Sequence, residues 1–239
     1  WNFQTGSEIV DQGSHENNGS IHGAVFENVC HDEDLDQDGV ASWLDCDDND
    51  PTIPIEEDSN CDGISDDCNS LLFDGVNTNV TIPQHSSFDT TNFTVTFWTK
   101  VDTSNSSNGH LMVKGNNNTN EWSLTYDTNG LRVNRQGLTT PIVTDVDLHD
   151  WTHISLSYDS STVRLYINGE FNSSDAFSFT PSATSLMLGS IANCSVCSMT
   201  GNMNAVAFFG SALSDSDILE IYNSTVSPLD ISSLVAFWP

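Results

Sequence analysis

Fifteen Asp and Glu side chains fall between His31 and Cys68, and no Lys or Arg lies among them. Such a segment cannot collapse onto an apolar core, because its carboxylates repel one another until cations neutralise them. The spacing matches that requirement. Asp34, Asp36 and Asp38 occupy positions 1, 3 and 5 of a calcium loop, Gly39 takes the sharp turn at position 6, the Val40 carbonyl serves position 7, and Asp45 closes the loop at position 12. A second loop starts at Asp58, with Asn60, Asp62, Gly63, the Ile64 carbonyl and Asp66 at positions 3, 5, 6, 7 and 9. Its position 12 is Asn69, which cannot chelate through two carboxylate oxygens, so Asp67 substitutes or Asp47, Asp48 and Asp50 share the ion. Two or more Ca2+ ions are the expectation; a solvated acidic loop is the alternative.

Those 38 residues carry about half of the net charge of −29 of the 239-residue chain. Only five basic residues face 34 acidic ones, which argues against nucleic acid as a partner and against adsorption to an anionic membrane. No run of about 18 apolar residues is present, so no membrane insertion is expected. The chain opens without a charged and apolar leader, which a mature chain or an omitted leader would both produce.

Six cysteines, clustered as Cys30, Cys46, Cys61 and Cys68 and as Cys194 with Cys197, point to disulfides in an oxidising compartment. The first four allow three connectivities; Cys61–Cys68 with Cys30–Cys46 is favoured, leaving Cys194–Cys197 as a separate pair. Asn-x-Ser/Thr triplets occur at Asn18, Asn79, Asn92, Asn105, Asn117, Asn172, Asn193 and Asn223, an expectation of N-glycosylation. Acidity and sequons together fit an extracellular or cell-surface protein, such as an archaeal one from a saline habitat.

From Leu71 onward, short β-rich runs alternate with Gly, Asn, Asp and Ser clusters. Strands are expected over 79–82, 93–100, 110–113, 122–126, 131–135, 152–158, 163–167, 185–188 and 203–209. The turns at Asp127-Thr128-Asn129-Gly130 and Asn168-Gly169 read as hairpins. One short helix is expected over 214–223, capped by Ser214, with Asp217 in its first turn and Ile218, Ile221 and Tyr222 on one face. The fold class is all-β, an antiparallel β-sandwich with one short helix.

Phe73-Asp74-Gly75, Phe93-Thr94-Val95-Thr96-Phe97-Trp98, the hairpin from Trp151 to Gly169 and the run from Gly201 to Tyr222 together resemble laminin-G-like, concanavalin-like jelly rolls. Trp1-Asn2-Phe3 and Asn17-Asn18-Gly19 resemble that family's opening. The resemblance implies a jelly roll over 1–29 and 71–227, with 30–70 inserted into it and 228–239 as a C-terminal strand. Where the family often carries an acidic pair in its closing strand, this chain has Asn204-Ala205, so a metal or ligand site using that pair is not expected. The insertion, with Asp45-Cys46-Asp47-Asp48-Asn49-Asp50-Pro51 and Cys61-Asp62-Gly63-Ile64-Ser65-Asp66-Asp67-Cys68, is similar to thrombospondin type 3 repeats, which implies calcium held in place of a hydrophobic core.

An enzyme is not expected. The Glu-x-Asp-x-x-Glu arrangement used by glycan-hydrolysing jelly rolls is absent, as is a Gly-x-Ser-x-Gly elbow. His149 and His153 have a spacing that chelates only on a helix, and they straddle a strand start, where His153 suits core packing. Cys194-Ser195-Val196-Cys197 lacks the basic neighbours of a redox pair.

Leu234, Val235, Ala236, Phe237 and Trp238 follow the closing helix and resemble the family's first strand, while the chain begins directly at Trp1 and Phe3. The tail is therefore expected to add a strand to a neighbouring copy, head to tail, or to mark one repeat of a tandem array; pairing with its own sheet is the third arrangement. The leading functional expectation is a calcium-stabilised, glycosylated subunit of an extracellular filament or adhesin stalk. The alternative is a lectin-like module that binds surface glycans.

Overall fold

Apolar residues alternate along 93–97 and 154–158, and both runs form long strands whose inward positions are completely buried. The computed structural model describes residues 7–28, 69–102, 108–115, 121–127, 130–134, 142–176, 178, 180–191, 194 and 197–239. The chain divides into two compact units, one of Trp1–Thr5 with Phe26–Ser70 and one of Gly6–Val25 with Leu71–Pro239. All the expected calcium ligands from Asp34 to Asp67, together with Cys30, Cys46, Cys61, Cys68, Trp1 and Phe3, lie outside the described residues.

The described strands are β1 (Glu8–Ile9), β2 (Gly19–His22), β3 (Val25–Asn28), β4 (Asn69–Asp74), β5 (Asn79–Ile82), β6 (Asn92–Val101), β7 (Asn108–Lys114), β8 (Trp122–Asp127), β9 (Gly130–Asn134), β10 (Ile142–Thr144), β11 (Thr152–Asp159), β12 (Thr162–Ile167), β13 (Glu170–Ala176), β14 (Leu186–Leu188), β15 (Thr200–Phe209) and β16 (Leu234–Trp238). They form two antiparallel sheets. One runs β1-β2-β5-β14-β7-β8-β9-β10; the other contains β13-β12-β11-β6-β15-β4, with β16 also on β15. The all-β sandwich read from the sequence is the fold. Every expected strand is present within a few residues, and the Asn168-Gly169 turn has positive φ at both residues (50° and 75°), the requirement of a tight hairpin between β12 and β13.

The core lies between the sheets. Phe93 of β6 stacks on Trp122 of β8, with ring centroids 4.9 Å apart, and on Phe208 of β15 at 5.7 Å. Val80, Ile82, Leu124, Leu131, Ile154, Leu156, Leu186 and Leu188 fill the space around them with no exposure. A second apolar layer covers the outer face of the β6–β11–β12–β15 sheet. There Ile218 and Ile221 of α1 (Asp215–Tyr222) pack with Leu213 on Tyr166, Ala207 and Phe209. An eight-residue helix is marginal alone, and here a capping box between Ser214 and Asp217 supports it alongside the packing.

β16 corrects one expectation. Leu234, Val235, Ala236, Phe237 and Trp238 are not a spare strand in this chain; they pair antiparallel with β15, with Ala236 opposite Phe208 and Trp238 opposite Val206. β4 pairs with the first half of β15 and β16 with the second, so the two share one side of that strand, opposite β6. The physical reason is a set of bonds that hold it in this placement. The Asp11 carboxylate accepts the N–H of Phe237 at 2.8 Å, Gln12 N–H donates to the Phe237 carbonyl at 2.8 Å, and the Trp238 indole donates to the Asn17 carbonyl at 3.0 Å. Val235, Ala236 and Trp238 are buried as a result.

Candidate functional site

Strand pairing places single polar residues from three neighbouring strands, and a valine from a fourth, in one row. His110 of β7 lies opposite Thr125 of β8, Thr125 opposite Arg132 of β9, and Arg132 opposite Val143 of β10. Alternation sends Leu124, Tyr126, Leu131 and Val133 inward, so this row falls on the outer face of the sheet. His110, Thr125 and Arg132 are half-buried and Val143 is exposed. In the next row Asn134 stands opposite Ser123 and donates from its amide to Thr125 Oγ1 at 2.7 Å. Arg132 Nε sits 2.8 Å from Asp127 Oδ2. The strip therefore presents a guanidinium, a carboxylate, an amide, a hydroxyl and an imidazole beside one exposed apolar side chain. Such a set can donate to and accept from hydroxyl groups of a ligand.

His110 differs from the others. Burial pushes its pKa below the ordinary value of 6.5, offset in part by a hydrogen bond to the Cys197 backbone, and its Nδ1 has no hydrogen-bond partner among the described residues. A histidine whose folded pKa is depressed favours the neutral form, so the unfolded chain binds the proton more tightly. Stability from this residue is complete above about pH 6.5 and falls as pH drops from there toward the folded pKa. Unfolding titrations should show this slope, and His110→Asn should flatten it; an unchanged slope would assign the pH dependence to other groups.

The other residues singled out by sequence take varied places. Cys194 and Cys197 form a disulfide. His149 is exposed and pairs with Asp147, whereas His153 is buried between the rings of Trp98 (5.3 Å) and Tyr222 (5.8 Å), which is core packing. Asn204 is buried at a bulge in β15, and Ala205 beside it has φ of 48°. Of the sequons, Asn92, Asn172 and Asn223 are exposed, Asn18 and Asn79 are half-buried, and Asn105, Asn117 and Asn193 lie outside the described residues. Neither the polar strip nor Lys114 was singled out by sequence. Lys114 is completely buried, and its ammonium contacts Asp89 at 3.0 Å and Glu121 at 3.5 Å and donates to the carbonyls of Ser182 and Thr184.

Tyr166 donates to Asp215 at 2.7 Å, and burial first, then this bond, raises its pKa above the ordinary value of 10.0. Arg164 binds Asp159 at 2.7 Å, a bond that holds the aspartate well below the usual carboxylate range. The first contact ties the covered sheet to its helix, and the second joins β11 to β12. Among the described residues no group of three or more His, Cys, Asp or Glu side chains is arranged to hold a metal ion, and no helix is long and apolar enough to cross a membrane.

Known proteins share this architecture. The sialidase of Trypanosoma rangeli matches with a TM-score of 0.56 and 17% identity over 65% of this chain and 27% of its own. A putative carbohydrate-binding protein from Bacteroides ovatus matches with a TM-score of 0.56 and 17% identity over 71% of this chain and 50% of that one. Domain 4 of the extracellular arabinanase AbnA from Geobacillus stearothermophilus, solved with arabinotriose, matches with a TM-score of 0.51 and 17% identity over 64% of this chain and 76% of that one. The chain thus spans about a quarter of the sialidase's length. No curated protein matches it by sequence. The model of one family, Laminin_G_3, described as the Concanavalin A-like lectin/glucanases superfamily, covers residues 74–219, which include the polar strip, the closing strand and the first turn of the helix. With more than half of its length under that model, the chain belongs to the Concanavalin A-like lectin/glucanases superfamily.

Proposed function

We propose that this chain is a lectin-like carbohydrate-binding module of a secreted or cell-surface protein, and that the outer strip of β7–β10 is its glycan face. The observation that carries this reading is the convergence of Asp127 and Thr125 of β8 with Arg132 and Asn134 of β9, all half-buried, on the outer face of two paired strands. The domain complexed with arabinotriose and the carbohydrate-binding protein from Bacteroides ovatus support it by their shared fold. The ligand is a neutral oligosaccharide. A net charge of −29 repels acidic sugars, and the one guanidinium in the strip already faces Asp127.

Calorimetric titration with arabinotriose and a panel of neutral oligosaccharides tests the proposal. At least one should bind, and Arg132→Ala or Asn134→Ala should each weaken it about tenfold, the loss of one or two hydrogen bonds to a sugar. Failure of every neutral sugar at millimolar concentration would sink the reading. Calcium enters separately, as the ion bound by Asp34, Asp36, Asp38, Asp45 and the loop from Asp58. Removing it with EDTA should render 30–70 sensitive to protease while the jelly roll keeps its melting temperature, since binding energy at such loops is folding energy. Equal proteolysis with and without EDTA would exclude the calcium loops.

A further inference from the structure

β13 is the last strand in the spatial order of its sheet, and its burial pattern is exposed at every position except Ser173. An edge strand offers a row of main-chain N–H and C=O groups to any other strand that approaches. Charges discourage this at the two ends, where Glu170 and Asp175 stand exposed. The middle, from Phe171 to Ser174, has no charge, and Phe171 is 53% exposed. That middle is also irregular. Leu165 pairs with Ser173 and Tyr166 with Phe171, so Asn172 is the extra residue of a β-bulge, without a partner in register on β12.

Asn172 opens the triplet Asn172-Ser173-Ser174. The described sequons are not equivalent. The Asn18 side-chain Oδ1 accepts the Asp11 N–H at 3.0 Å, and Asn79 lies inside a sheet, where its Oδ1 accepts from Thr81. Asn92 accepts from Ser160, and the hydroxyl of its Thr94 is buried in bonds to Ser211 and Leu213. Asn223 is exposed at the end of α1, away from any sheet edge, whereas Asn172 is exposed on a bulge in the uncharged middle of the β13 edge.

We propose that Asn172 carries an N-linked glycan and that this glycan keeps the β13 edge from pairing with another strand. In the modification, the Asn172 side-chain nitrogen forms a bond to the anomeric carbon of a polyprenyl-phosphate-linked oligosaccharide. The anomeric carbon–oxygen bond to phosphate breaks, the lipid phosphate leaves with that electron pair, and the amide proton is released. A hydrated oligosaccharide at the bulge then stands over the only uncharged stretch of the edge.

Peptide mass spectrometry of the protein from its own source should show the 170–176 segment carrying hexose-type mass that a glycosidase or mild chemical deglycosylation removes. Asn172→Gln and Ser174→Ala both abolish the triplet, while Ser174→Thr preserves it. By light scattering, the first two should self-associate at about tenfold lower concentration than the parent, and Ser174→Thr should behave as the parent. An unmodified Asn172 peptide overturns the proposal. So does a glycosylated parent whose Ser174→Ala and Asn172→Gln variants associate no more readily than Ser174→Thr. The outcome is independent of whether the β7–β10 strip binds sugar.

Discussion

Replacing Lys114 with methionine lowers the unfolding free energy by about 3–5 kcal/mol, the usual cost of removing one partner from a buried ion pair. The Lys114 side chain is 1% exposed and Glu121 beside it 5% exposed, so the carboxylate left behind has no water to replace the ammonium. Glu121 keeps its bonds from Ser182 N–H, Ser182 Oγ and Thr184 Oγ1, which limits the loss. The carbonyls of Ser182 and Thr184 lose their shared donor at the same time. At roughly 2–4 °C per kcal/mol for a chain of this size, the melting temperature should fall by about 10 °C. The double variant Lys114→Met, Glu121→Met should recover part of that, because it removes the buried carboxylate with the ammonium and leaves only Asp89, whose side chain is 22% exposed and open to water. Urea unfolding of the parent, the single variant and the double variant measures each value. A single variant within about 1 kcal/mol of the parent would show that the pair is screened in solution despite its burial.

Lys114 also marks the limit of what sequence can disclose. Alternation of apolar and polar residues marks β6, β11, β12 and β15, because one face of each strand must enter a core. A lysine at an inward position reads as an interruption of that pattern. Only the approach of Asp89, Glu121 and the 182–184 loop turns it into a satisfied internal cation, and those partners are up to 70 residues away in sequence. β13 was missed for the opposite reason. Glu170-Phe171-Asn172-Ser173-Ser174-Asp175-Ala176 has no buried face and so no alternation to read. The polar strip of β7–β10 lies between these cases. Thr125, Arg132 and Asn134 are recognisable as solvent-side positions of their strands, but their convergence follows from the register of β8 on β9, which no local pattern contains. The acidic segment is the reverse: its carboxylate spacing is a local signal and is complete in the sequence, and its residues lie outside the described part of the fold.

β16 is the element whose placement the sequence left most open, and Asp11 is the residue on which that placement turns. Its Oδ1 accepts from the N–H of Gly13 and of Phe237, and its Oδ2 accepts from Asn17 N–H. Asn17 in turn donates from its side chain to the Val235 carbonyl and accepts the Trp238 indole on its own carbonyl. Asp11→Ala removes three hydrogen bonds from partly buried N–H groups, a loss of about 3 kcal/mol if water replaces them only in part. The loss falls on the attachment of β16 more than on the sandwich, so the tail should open locally before the sheets separate. Asp11→Asn discriminates this from a general packing effect. Its amide oxygen can still accept from Gly13 and Phe237, while its NH2 group turns one acceptor toward Asn17 into a donor, so it should cost about 1–2 kcal/mol. Hydrogen exchange at the Phe237 amide and quenching of Trp238 fluorescence report the opening. Both should rise in the order parent, Asp11→Asn, Asp11→Ala. If Phe237 exchanges equally slowly in all three, burial of Val235, Ala236 and Trp238 holds the strand by itself and the Asp11 carboxylate only shapes its own loop.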